Sequence, residues 1–228
     1  MKDALELWDS FFIAFSALLP LINPLGTALV FLGLVGDAPA ATYRSLARKI
    51  AFNNIVFLGI IELLGSAILH FFGISLPIIQ FAGGIVIASM GWSVLNQTDA
   101  PLTSDSSAGI QADPDTRLAS FQQKTFYPFT FPITSGPGTL VVMLTLATRA
   151  EGRSLTLNTI RHCGLFLAVI VLSILVYVCY ANAPRLTRAI PPATAHGILR
   201  VVAFILMCIG VQIAWNGLST LLLSVLHP

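Results

Sequence analysis

Long apolar runs dominate the chain, at roughly 9–35, 49–72, 76–97, 125–148, 158–182 and 196–226. A bilayer span needs about 20 mainly apolar residues, and each of the six runs reaches that length. Backbone groups in hydrocarbon must pair within their own segment, so the runs predict helices; a barrel would show short alternating segments instead. One long polar connection, from Thr98 to Lys124, is rich in Ser, Asp, Pro and Gly and holds Asp99, Asp105, Asp113 and Asp115. It divides the chain into a first three-helix repeat at 1–97, a cytoplasmic linker loop at 98–124 and a second three-helix repeat at 125–228. The pattern predicts an all-α membrane protein of six transmembrane helices.

The two halves share a motif. Pro20-Leu21-Ile22-Asn23-Pro24-Leu25-Gly26-Thr27 lies in the first run, and Pro132-Ile133-Thr134-Ser135-Gly136-Pro137-Gly138-Thr139 in the fourth. At the offset of 112 residues that separates Pro20 from Pro132, Gly26 falls on Gly138 and Thr27 on Thr139. Three spans per repeat is an odd number, so the second copy must enter the membrane from the opposite side, as in the inverted repeats of many secondary transporters. Pro lacks an N–H and clashes with the preceding turn, and Gly relaxes the backbone, so the first and fourth helices are predicted to be broken here. Broken backbone at membrane depth is tolerated only inside protein or along a wet cavity. Half-helix N-termini offer free N–H groups and a positive dipole end, which suit a carboxylate. The candidate substrate-binding residues are therefore Asn23, Pro24, Gly26, Thr27, Thr134, Ser135, Gly136, Gly138 and Thr139. Thr27 and Thr139 are placed to cap the second half-helices or to donate to a ligand. The alternative is a pair of simple packing kinks.

Composition agrees with the pattern. Of the 228 residues 56% are hydrophobic and 10% charged, against about 25% charged in a soluble domain. The net charge of +2, with no basic run longer than Arg48–Lys49, argues against a nucleic-acid partner. No zinc spacing, HExxH, GxSxG or P-loop occurs, so neither metal, cofactor nor enzyme activity is expected. Cys163, Cys179 and Cys208 sit in apolar runs and read as small apolar residues rather than a disulfide framework. The apolar stretch from Trp8 to Val35 is too long for a cleaved signal and reads as a retained first span. Arg44, Arg48, Lys49, Arg117, Lys124, Arg185, Arg188 and Arg200 fall on one side; Lys2, Arg149, Arg153 and Arg161 fall on the other. The positive-inside rule puts the first group in the cytoplasm and both termini outside.

Glu62 lies near the middle of the second run with no basic residue within a turn, which makes it a functional candidate by default. It reads equally as a carrier of a coupling proton or as a protonated packing group bonded to a neighbouring helix. Asn54, Glu62, Gly65 and Ser66 share an inward face. Polar stripes at Ser89/Ser93/Asn96, Ser173/Tyr177/Tyr180 and Gln212/Asn216/Ser219 predict hydrogen bonds between helices. Ala82-Gly83-Gly84 with Ala88 offers a small-residue surface for close packing. His70, His162, His196 and His227 lie near span ends and form no cluster in the sequence.

The sequence resembles the MarC family, also grouped as a neutral amino acid transporter family. The resemblance covers nearly the whole chain. It rests on Asn23 to Thr27, Phe81-Ala82-Gly83-Gly84, Pro132 to Thr139 and the Gln212 to Gly217 stretch. It implies a six-helix protein of the bacterial inner membrane and, for some members, uptake of small neutral amino acids such as glycine and alanine. Members of that family usually carry Arg before the third-span Ala-Gly-Gly, where this chain has Gln80. The expected function is a secondary transporter of small neutral amino acids, with protons or Na+ as coupling ion. The alternatives are a channel or exporter for a small neutral metabolite and a non-transporting membrane scaffold. The expected partners are the amino acid, the lipid bilayer and, through exposed small-residue faces, further copies in a homo-oligomer.

Overall fold

The computed structural model describes residues 2–36, 38–96, 125–152, 154–189 and 192–226. The 98–124 linker, with its aspartates, Arg117 and Lys124, lies outside the described residues, as do Arg153 and His227. The described elements are all helical: α1 (Lys2–Ile22), α2 (Pro24–Val35), α3 (Ala40–Phe72), α4 (Leu76–Leu95), α5 (Thr125–Thr134), α6 (Pro137–Ala150), α7 (Leu155–Ala181), α8 (Ala183–Ala189) and α9 (Pro192–Leu226). Five stretches are long and apolar enough to cross a membrane, and the bent pair α5/α6 brings the total to six.

Two interruptions follow from proline chemistry. Between α1 and α2, Asn23 takes the left-handed conformation at φ 42, which Asn tolerates better than most residues. Pro24 then opens α2 at a position where no N–H is needed. Main-chain bonds pass across the junction, Asn23 N to Leu19 O at 2.8 Å and Thr27 N to Asn23 O at 2.9 Å. Asp3–Val35 therefore runs as one span. The second interruption differs. Tyr127 and Phe131, each before a proline, are extended at φ −114 and −120, because the proline ring crowds the preceding residue out of the helical region. Threonine hydroxyls bond the main chain there: Thr130 donates to Thr125 O at 2.8 Å and Thr134 to Phe129 O at 2.7 Å. After Ser135 and Gly136 the chain enters α6 at an angle of 72° to α5.

The α7 helix forms the middle of the bundle and packs against α1, α2 and α3, while α5 and α6 pack on α3. Leu18, Ile22, Phe31, Ile50, Leu58, Met143, Val169 and Leu172 fill the core between them. Helices α4 and α9 pack chiefly on each other, with α4 also resting on α6. Their contact is main chain to main chain. A Cβ on Gly84 would overlap Ala214 N and Gly210 O, and one on Gly210 would overlap Ala88 N and Gly84 O. Gly91 faces Ala203 O and Met207 N; Gly217 faces Pro77 O and Phe81 N. The small-residue surface of α4 is thus used on two sides, since Gly83 lies instead on Val141 of α6.

Candidate functional site

The second interruption sits at a buried polar cluster between α3 and α7. Asn54 of α3 donates through Nδ2 to Ser173 Oγ of α7 at 3.0 Å and accepts from Ser135 Oγ through Oδ1. Asn54, Thr130, Thr134, Ser135 and Ser173 are fully buried. Two turns along α7, the Tyr180 hydroxyl lies 2.8 Å from Thr134 Oγ1. Its ring stacks on Phe31 of α2, with centroids 4.6 Å apart. Gly138 completes the junction, since a Cβ there would press on Leu21 of α1 and Ile87 of α4.

The candidate residues divide by what they do. Asn23, not Thr27, caps α2: its Oδ1 accepts from Gly26 N at 3.2 Å. Thr27 Oγ1 instead donates to Asn23 O at 2.9 Å and Ile22 O at 3.3 Å, turned back on its own helix. At α6 the N-cap is Gly136 and no side chain caps it, so Thr139 is buried beside the terminus without serving it. Pro24, Gly26, Gly136 and Gly138 are buried and bring the half-helices into close packing. The structure adds Asn54, Ser173 and Tyr180 as the groups that bond the second motif. The sequence signalled them only as members of polar helix faces. No ionic side chain belongs to the cluster.

Glu62 is buried (3% exposed) on the same face of α3 as Asn54. Its Oε1 lies 3.3 Å from His162 Nδ1 on α7, and its Oε2 has no hydrogen-bond partner. One residue earlier on α7, Arg161 pairs with Glu6 at 3.0 Å. This pair lines a pocket of about 390 Å³ together with Asp9, Ser10 and Arg149. Gln80 is buried and lies 3.5 Å from Thr145 Oγ1. The remaining stripes behave differently from expectation. Ser89 bonds Val86 O and Asn96 bonds Trp92 O, each within its own exposed helix face. Cys179 is buried, Cys163 and Cys208 are exposed, and all three are free thiols.

Tyr180→Phe offers a mild test of the bond to the second interruption. It keeps the ring against Phe31 and removes the hydroxyl bonded to Thr134, so it should cost about 1 kcal/mol. Thermal unfolding in detergent reads this as a lowered midpoint with the helix content unchanged.

Apolar helices of spanning length around an uncharged buried polar centre define a polytopic integral membrane protein. The chain matches the family described as MarC family integral membrane protein over residues 8–222, and it belongs to that family. The inner membrane protein MarC of Escherichia coli O1:K1 is 25% identical over 218 residues, covering 94% of this chain and 96% of that protein. The Salmonella paratyphi A protein of the same name is 25% identical over 227 residues, covering 93% and 96%. No solved structure matches the chain.

Proposed function

We propose that this protein is a secondary transporter of small neutral amino acids in the bacterial inner membrane, built as two inverted three-helix repeats. The observation that carries the reading is the fully buried polar cluster at the second Pro/Gly interruption, with the first interruption packed beside it through Leu21 on Gly138 and Phe31 on Tyr180. The contacts support the repeat. If the first three spans are exchanged with the last three, the packing of α1/α2 on α7 becomes that of α5/α6 on α3. The α3–α7 and α4–α9 contacts map onto themselves. Gly84, Ala88 and Gly91 correspond to Gly210, Ala214 and Gly217 at one constant offset, and even the atoms they meet correspond.

The chemistry of the cluster favours a solute without net charge. Hydroxyl and amide groups can bond the ammonium and carboxylate of a zwitterion, whereas a net charge at this depth would need an ionic partner. The uncapped N-terminus of α6 suits the carboxylate. The cluster is closed on itself, so the substrate enters when one repeat rocks against the other. Glu62, bonded to His162 and otherwise unpartnered, is the coupling group for protons.

A thermal-shift panel with the common amino acids tests the substrate class. A ligand at about 100 times its dissociation constant stabilises the folded state by about 2.7 kcal/mol. We expect glycine, alanine or serine to raise the unfolding midpoint; no shift with any amino acid overturns this substrate assignment. In liposomes, Glu62→Gln should abolish the dependence of uptake on an imposed proton gradient while leaving exchange of substrate intact. An unchanged gradient dependence would remove Glu62 from the coupling step; uptake by the unsubstituted protein that neither follows the gradient nor saturates would favour a channel.

A further inference from the structure

We propose that this protein self-associates in the membrane through the outward face of α9, with a second copy of the chain seated on Gln212 and Asn216. Helix α9 meets α4 through Ala203, Met207, Gly210, Ala214 and Gly217. At about 100° per residue, Cys208, Gln212 and Asn216 stand on the opposite side. Cys208 and Gln212 are exposed and Asn216 is half-buried. They lie at hydrocarbon depth, because Gln212 is the midpoint of the Arg200–Ser224 span.

Their hydrogen bonding is half finished. Gln212 Nε2 donates to Asn216 Oδ1 at 3.0 Å. Each amide carries one acceptor oxygen and two N–H donors. The Gln212 oxygen and the Asn216 nitrogen therefore keep capacity, one as acceptor and one as donor. Lipid tails supply neither. Such amides on a spanning helix find partners on a neighbouring helix. Here the two free functions are complementary to each other, so the face is complementary to itself. All copies insert with one orientation, so two α9 helices meet about an axis normal to the membrane, in an isologous contact. Asn216 Nδ2 of each copy then reaches Gln212 Oε1 of the other. Cys208, one turn before Gln212 on the same face, comes beside its counterpart.

That placement gives a built-in reporter. In native membranes carrying the Cys163→Ser variant, mild oxidation should yield a disulfide-linked dimer through Cys208, lost on Cys208→Ser. The double variant Gln212→Leu/Asn216→Leu makes the span more apolar and removes both reciprocal bonds. Its dimer association constant, read by single-molecule co-localisation in bilayers, should fall about tenfold. A monomer in bilayers without the Cys208 cross-link overturns the proposal. A Cys208 cross-link to a different membrane protein overturns it as well, by naming another occupant. If the double variant misfolds, the cross-link in the chain with native Gln212 and Asn216 still decides.

Discussion

Gly84→Leu is expected to abolish the compact, monodisperse detergent-solubilised protein, and Gly210→Leu to do the same. At both sites even a methyl group would overlap main-chain atoms of the facing helix. Main chain cannot rotate away as a side chain can, so the helices must separate along their whole contact. Overpacking a tight site costs about 3 kcal/mol or more when nothing flexible gives way. Alanine at either position should lower the unfolding midpoint by a smaller, measurable amount. Because the two glycines meet the same atoms in exchanged roles, Gly84→Ala and Gly210→Ala should cost nearly equal amounts. The double variant should cost less than the sum, since one separation relieves both clashes. Thermal unfolding of the set reads all three values, and strongly unequal single costs would argue against the repeat relation at this crossing.

Asn54→Leu is expected to be nearly as damaging, for a different reason. It leaves the Ser135 and Ser173 hydroxyls fully buried without their amide partner. Each stranded group costs about 1–3 kcal/mol, which puts the pair at about 2–6 kcal/mol. Adding Ser135→Ala and Ser173→Ala removes the stranded hydroxyls and should recover much of that loss. On the proposed function, the rescued triple variant remains unable to take up substrate, because the polar centre is gone. Uptake at the unsubstituted rate in a well-folded triple variant would rule out this cluster as the binding site.

Spans were legible in the sequence because hydrocarbon admits little besides long apolar helices. The prolines marked where the backbone changes course, but not by how much: a break was expected in both spans, and Asp3–Val35 instead runs as one span while the fourth bends by 72°. What fills the gaps was not legible. Asn23 and Thr27 both have side chains that can cap, and only the left-handed turn at Asn23 decides between them. The threonines of α5 answer to Pro128 and Pro132 through carbonyls five residues back, a spacing that no regular α-helix uses. Glu62 looked alone because its partner, His162, is 100 positions away on another helix. Ser89 and Asn96 looked like links between helices, but a helix face bordered by lipid turns such groups back on its own carbonyls.

The two interruptions share a motif yet differ in mechanical character. The ladder of main-chain bonds that crosses Asn23 makes the first span a stiff rod with a local twist. The second span turns through 72°, with the Thr130 and Thr134 hydroxyls bonded to carbonyls five residues back. Bending therefore concentrates in the second half, around Thr130 to Gly136, where rotation of a threonine side chain exchanges one support for another. A load applied across the bundle is carried by the first half and yielded to by the second, so likeness in sequence leaves the two halves unlike in compliance.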